Sequence, residues 1–135
     1  MPAAARTARV VRVIDGDTVV LGGVGTSRLI GVDTPEVRDR PQCYGAQASE
    51  FARRALPHGS TARYAHGEER RDRYGRALVY LWLEDGRSFN AMLVEGGYAT
   101  ALTIPPNDRY AKRFKALARE ARRTGRGRWS ACRGA

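Results

Sequence analysis

Three carboxylates, Asp17, Asp33 and Glu36, fall within twenty residues of one another, and Arg28 stands between the first two. Hard divalent cations bind oxygen, and Ca²⁺ takes roughly six to eight such ligands from carboxylates, backbone carbonyls and water. Asp17 and Asp33, with the Thr34 carbonyl, would make half a shell and leave room for water and a phosphate. The alternative is that both aspartates are plain turn residues, since aspartate favours turns. Glu36 has the chemistry of a general base that takes the proton of an attacking water beside a metal; its alternative is a solvated glutamate. Arg28 and Arg76 suit a bidentate clamp that tightens as charge builds on phosphorus. Arg28, next to Leu29 and Ile30, is the more telling, because a half-buried arginine requires an anionic partner. Arg76, among several arginines, has solvation as its alternative.

The elements that must position these groups are mainly β. Residues 13–36 read as two strands joined at Gly22-Gly23-Val24-Gly25, with Asp15-Gly16-Asp17 bending or bulging the first. Strict alternation puts Arg28 and Asp33 on opposite faces, so a shared site needs a bend near Gly31. A helix is predicted over 44–56, with Ala48, Phe51, Ala52 and Ala55 on one face. Residues 60–65 read as a strand, 66–73 as a charged loop and 77–83 as a strong strand before an Asp85-Gly86 turn. Asn90 is the predicted N-cap of a short helix over 91–95. Residues 98–104 are extended up to Pro105-Pro106. A last helix covers 108–124, with Tyr110, Phe114, Leu117, Ala118 and Ala121 as its apolar stripe. Five strands with three helices predict an α+β, mainly β architecture: an OB-fold with a partly open five-stranded barrel, as one domain over 1–135.

The 135 residues carry 24 Lys and Arg against 14 Asp and Glu, a net charge of +10. Such an excess favours polyanions, nucleic acid first and anionic membrane second. No apolar run approaches a membrane span, and the apolar stripe of the last helix is better used in packing than on a membrane. Ten of the 24 basic residues fall between Arg109 and Arg133, where phosphate contacts would make affinity for long chains sensitive to salt. His58 and His66 have no metal-ligand spacing, so a zinc site is not expected. No phosphate loop ends in Lys-Ser or Lys-Thr, and nothing singles out a serine nucleophile. The first residues lack the apolar segment of a signal peptide; the expectation is secretion if a leader has been removed, and the cytoplasm otherwise.

Together the motifs make the chain recognisable. Ile14-Asp-Gly-Asp-Thr-Val19, Arg28-Leu-Ile-Gly-Val-Asp-Thr-Pro-Glu36, Tyr44-Gly-Ala-Gln-Ala-Ser49, Asp72-Arg-Tyr-Gly-Arg76, Asn90-Ala-Met-Leu-Val94 with Gly97, and Trp129-Ser130 occur in this order. In this the chain resembles the thermonuclease, or staphylococcal nuclease-like, family over nearly its whole length. The resemblance implies an OB-fold and Ca²⁺-dependent cleavage of DNA and RNA to 3′-phosphate ends. It implies Ca²⁺ ligation by Asp17, Asp33 and Thr34, with Asp15 acting through water. It makes Glu36 the general base, Arg28 and Arg76 the transition-state clamp, and Arg73 and Tyr74 contacts to a substrate phosphate. A monomer acting on DNA and RNA is expected, with no membrane partner. The rival is a binding module that keeps the fold and lacks the chemistry, against which all five catalytic positions are filled. One departure is that two tyrosines common after the Gly-x-Ala element are absent, so weak binding of mononucleotides is expected, with Thr103 the place to restore a ring; the alternative is that Tyr98 or Tyr110 takes over the missing contact. Cys43 and Cys132 are an even pair in a family with many exported members, which favours a disulfide that ties down the tail.

Overall fold

The computed structural model describes residues 1–132. Five strands form a closed barrel: β1 (Arg6–Asp15), β2 (Thr18–Leu21), β3 (Gly25–Leu29), β5 (Thr61–Arg71) and β6 (Ala77–Leu83). Their order around the barrel is β1-β2-β3-β6-β5, and only β3 and β6 run parallel. A two-residue strand, β4 (Val32–Asp33), pairs outside the barrel with β7 (Thr100–Ala101). The helices are α1 (Gly45–Ala55), α2 (Phe89–Glu95), α3 (Ala111–Thr124) and a single turn, α4 (Arg128–Ala131). This is the expected OB-like barrel, closed rather than partly open and with one more short helix than predicted.

The core is built from the alternating apolar positions of the strands. Val10, Val19, Leu21, Leu29, Val79 and Leu81 are all buried, and Phe89, Leu93 and Phe114 pack against them from α2 and α3. Strand β6 is apolar along nearly its whole length, as a strand covered on both faces must be.

Three local expectations are corrected. Gly16 and Asp17 do not bulge a continuing strand; Asp15 pairs with Thr18, so they form the turn between antiparallel β1 and β2. The turn is this tight because Gly16 lies against a later segment: a Cβ there would come within 2.7 Å of Thr34 Cγ2. Residues 66–71, whose charge reads as a loop, continue β5, with a register shift between His66 and Arg71. Asn107 makes this possible by acting as a short strand partner, its Oδ1 accepting from the Glu69 amide and its Nδ2 donating to the Glu69 carbonyl. Asn90 is not a helix cap. Ser88 caps α2 by accepting from the Ala91 amide. Asn90 is fully buried, accepting from the Leu81 amide at 2.9 Å and donating to the Ile30 carbonyl at 2.8 Å.

The bend that a shared site requires is present. Gly31 adopts φ +81°, a left-handed conformation that glycine takes at little cost, and it separates β3 from β4. Its missing side chain also admits Phe114, whose ring would lie 2.6 Å from a Cβ at this position. Cys43 and Cys132 are joined in a disulfide, Cα atoms 5.8 Å apart, which fastens the approach to α1 to the end of α4.

Candidate metal and phosphate site

Asp17 is buried in the β1–β2 turn, and its carboxylate accepts two hydrogen bonds. Its Oδ2 accepts from the Thr34 amide at 2.9 Å, and its Oδ1 accepts from the Thr18 hydroxyl at 3.1 Å. Arg28 enters from β3, with Nη2 lying 3.3 Å from Asp17 Oδ2 and 3.2 Å from Asp33 Oδ1. Its Nη1 donates to the carbonyls of Leu29 and Val32, so the guanidinium is fixed by backbone as well as by charge. The turn at Gly31 is what brings Asp33 round to this arginine. Asp17, Arg28, Asp33 and the Thr34 backbone therefore meet at one point, supplied by the β1–β2 turn, β3 and the end of β4.

This point carries more negative charge than Arg28 balances. Asp15, whose Oδ1 accepts from the Asp17 amide, has its carboxyl raised to about 6 by burial and then by the Asp17 charge beside it. About half of the Asp33 side chain is covered, and that burial raises its carboxyl too; Arg28 works against the rise and Asp17 adds to it. A cation with oxygen preference would relieve both. The donors are carboxylates and backbone only, which suits a hard cation such as Ca²⁺. A cluster of three or more His, Cys, Asp or Glu side chains in metal-ligand proximity is absent among the described residues. The remaining ligands would therefore come from backbone, water and substrate.

Arg28 also lines a cleft of about 450 Å³ between the end of β3, the β5–β6 hairpin and the chain after β7. Arg76, Arg73 and Tyr74 line the same cleft. Arg76 is held there by Asp72, whose Oδ2 lies 2.7 Å from Arg76 Nε while its Oδ1 accepts from the Tyr74 and Arg76 amides. Burial alone would raise the Asp72 carboxyl, but these hydrogen bonds outweigh it and hold the group below its ordinary range. Arg73 donates to the Tyr74 hydroxyl at 2.6 Å, and the guanidinium carbons of Arg73 and Arg76 stand 4.9 and 5.5 Å from its ring centroid. Glu36 sits on the exposed loop beyond β4. Gln42 pins that loop by accepting from the Glu36 amide and donating its own amide to the Glu36 carbonyl. Among the described residues, no hydrogen bond or ion pair engages the Glu36 carboxylate.

The sequence profile described as Staphylococcal nuclease homologue matches residues 26–131. The chain belongs to this family. It is 37% identical over 131 residues to a thermonuclease of Staphylococcus hyicus, covering 93% of this chain and 76% of that one. A thermonuclease of Staphylococcus intermedius is 41% identical over 120 residues, 84% of this chain and 70% of that one. The SPbeta prophage-derived endonuclease YokF of Bacillus subtilis (strain 168) is 34% identical over 126 residues, 88% of this chain and 42% of the relative.

On one wall of the cleft neither Tyr98 nor Tyr110 takes the place of the missing tyrosines. Tyr98 does not reach it; its ring stacks on Phe51 at 4.2 Å and neighbours Tyr44. Tyr110 packs edge-on against Tyr80 in the core, with Phe114 6.0 Å away. The wall is made instead by Leu102 and Ile104, 40% and 65% exposed, while Thr103 is not among the lining residues. Sequence reasoning missed these two aliphatics and Asp72. Extended-strand alternation over 102–104 was the available signal for the former. The Asp-x-x-x-Arg spacing across a glycine turn was the signal for the latter.

Proposed function

We propose that the protein is a Ca²⁺-dependent nuclease that hydrolyses phosphodiester bonds of DNA and RNA and leaves 3′-phosphate ends. The observation that carries this reading is the double engagement of Arg28. It is held between Asp17 and Asp33 on one side and lines the cleft shared with Arg76 on the other. Cation ligands and phosphate-binding guanidinia thus meet across a single residue. The names of the relatives, thermonucleases and endonucleases, support the same reading.

In this reading Asp17, Asp33 and the Thr34 carbonyl would hold the ion, with Asp15 contributing through water. When bound, the ion offsets the negative charge of the phosphate and polarises it for attack. Glu36 takes a proton from the attacking water, whose oxygen bonds to phosphorus. The bond from phosphorus to the 5′-oxygen breaks, that oxygen takes a proton from solvent, and the phosphate stays on the 3′ side. Arg28 and Arg76 donate to the non-bridging oxygens, most strongly as charge accumulates on them. Arg73 and Tyr74 hold a neighbouring phosphate. The 135 residues act as one unit and as a monomer, and the Cys43–Cys132 bridge supports an oxidising compartment such as the cell exterior.

The test is incubation of plasmid DNA and of RNA with Ca²⁺ and with excess chelator, followed by end analysis. Cleavage only with Ca²⁺, giving ends that block polymerase extension until a phosphatase acts, is the expected result. Undiminished cleavage in chelator, or free 3′-hydroxyl products, would overturn it. Binding without cleavage under any divalent ion would leave a binding module instead.

A further inference from the structure

A second groove, of about 330 Å³, lies between β7 and α3 and shares no lining residue with the cleft. Its floor is β7, where Thr100 pairs with Asp33 and donates its hydroxyl to the Asp33 carbonyl at 3.3 Å. Its wall is one face of α3. Lys115, Ala118, Arg119 and Arg122 follow the i, i+4, i+7 repeat that aligns side chains on a helix, with the small Ala118 between the cations. Phe114 and Ala121 on a neighbouring stripe of α3 are buried in the core, while Lys115, Arg119 and Arg122 are exposed.

These cations are uncommitted. Glu120 pairs with Arg123, and among the described residues no ion pair engages Lys115, Arg119 or Arg122. Trp129 closes the groove, with Arg122 and Arg128 guanidinia 5.2 and 5.0 Å from its ring centroid. Trp129 Nε1 and Arg128 Nε are covered donors with no acceptor among the described residues. Among the described residues, no carboxylate lines the groove. It is therefore rich in donors and cations, poor in acceptors, and has as its floor the strand that pairs with Asp33 of the proposed metal site.

We propose that the Lys115–Arg119–Arg122 groove binds the sugar–phosphate backbone of a single nucleic-acid strand outside the catalytic cleft, so that long substrates are held at two places. This rests on the nuclease reading for the identity of the strand. The rise from Lys115 to Arg122 is roughly 10 Å, enough for neighbouring phosphates of one strand to meet different cations. The contact is with phosphate and carries no base preference. An anionic membrane is the weaker occupant: the groove offers it charge but no apolar face to insert, because the apolar stripe of α3 is already buried.

The test measures binding rather than cleavage, on the full chain in chelator, by fluorescence anisotropy of labelled single-stranded DNA. The probes are an oligonucleotide of about 30 residues, long enough to leave any single small site, and a trinucleotide that fills only the cleft. The variants are Lys115→Gln/Arg119→Gln/Arg122→Gln and, to preserve charge, Arg119→Lys/Arg122→Lys. Loss of three phosphate contacts should weaken long-strand binding by about tenfold or more at low salt. It should also flatten the slope of log affinity against log salt by about 2. Trinucleotide affinity should stay within about twofold, and the lysine variant should keep the parental slope. An unchanged slope in the glutamine variant, or equal losses on both probes, would overturn the proposal. So would binding to phosphatidylserine vesicles that the glutamine variant loses while its long-strand affinity persists. Because cleavage is not the readout, an inert protein with the expected slopes would sink the nuclease reading and leave this one standing. An active nuclease with an unaltered slope would do the reverse.

Discussion

At the level of single residues, the site divides into groups that meet the reaction and groups that hold them. Glu36→Gln keeps size and removes the base, so the turnover rate should fall by roughly 10²–10⁴-fold with Ca²⁺ affinity little changed. Isothermal titration beside steady-state kinetics checks both halves of that expectation. Arg28→Lys should be as severe for another reason. Four contacts fan out from its guanidinium, to Asp17, Asp33 and two carbonyls, and a lysine cannot reproduce the fork. Asp72 touches no substrate in this scheme but fixes Arg76 and caps the turn that carries Tyr74. Asp72→Ala should therefore lower kcat about 10- to 100-fold, as loss of a supporting partner commonly does. Its melting temperature should stay close to that of the parent, and a large drop in melting temperature would assign Asp72 to folding instead. The nucleotide wall gives a sharper contrast. Leu102 and Ile104 cannot stack or hydrogen-bond as an aromatic would, and stacking is worth about 1–3 kcal/mol per base. Ile104→Tyr should gain affinity for a nucleoside bisphosphate, whereas Thr103→Tyr should not, since Thr103 lies off the cleft. Gain from Thr103→Tyr and none from Ile104→Tyr would reverse the assignment of faces.

At the level of elements, the chemistry depends on where strands stop. Gly31 turns the chain from β3 into β4 and leaves space for Phe114, so Gly31→Ala meets both a left-handed φ and the Phe114 ring. A cost of about 1–3 kcal/mol is expected in urea unfolding. Asp33 should move away from Arg28, with weaker Ca²⁺ binding as the companion effect. Asn90 joins β6 to the chain after β3 through two buried hydrogen bonds. Asn90→Ala strands a buried amide and a buried carbonyl, at about 1–3 kcal/mol each. These two residues also show what was legible in the sequence. The bend at Gly31 followed from parity alone: Arg28 and Asp33 are five apart, and strand alternation forbids a shared face. Asn90 was not legible, because an asparagine before an apolar run is an equally good cap, and only the distant Leu81 and Ile30 backbone decides its use. Residues 66–71 failed for a related reason. Their charge is that of a loop, and their strand partner is partly a side chain, Asn107, nearly forty residues away. The carboxylates and arginines were readable because their types and order are unusual for bland surface. The Leu102 and Ile104 wall was not, since an exposed aliphatic announces no role.

At the level of the whole molecule, two constraints act on the chain at once: a bridge between its distant parts and a large excess of positive charge. The Cys43–Cys132 disulfide spans a sequence separation of 89 and so restricts the unfolded chain over most of its length. Its removal by Cys43→Ser/Cys132→Ser should cost about 2–4 kcal/mol, read from denaturant unfolding extrapolated to water with the slope fitted for each protein. The net charge of +10 acts in the opposite sense, because like charges repel most when the chain is compact. Half of the ion pairs among the described residues, Arg54–Glu50, Arg87–Asp85 and Arg123–Glu120, are exposed and contribute little. Added salt should therefore stabilise the fold by screening self-repulsion, since the Debye length falls from about 30 Å at 0.01 M to about 10 Å at 0.1 M. The same screening removes the counterion release that drives binding to a polyanion. Melting temperature should thus rise over this range while the apparent affinity for long DNA falls, and cleavage of a dinucleotide-sized ester should change little. Thermal scans and cleavage rates in one salt series decide the matter. If melting temperature and long-DNA cleavage fell together, salt would be acting on the fold. If neither moved, the basic excess would have no part in substrate capture.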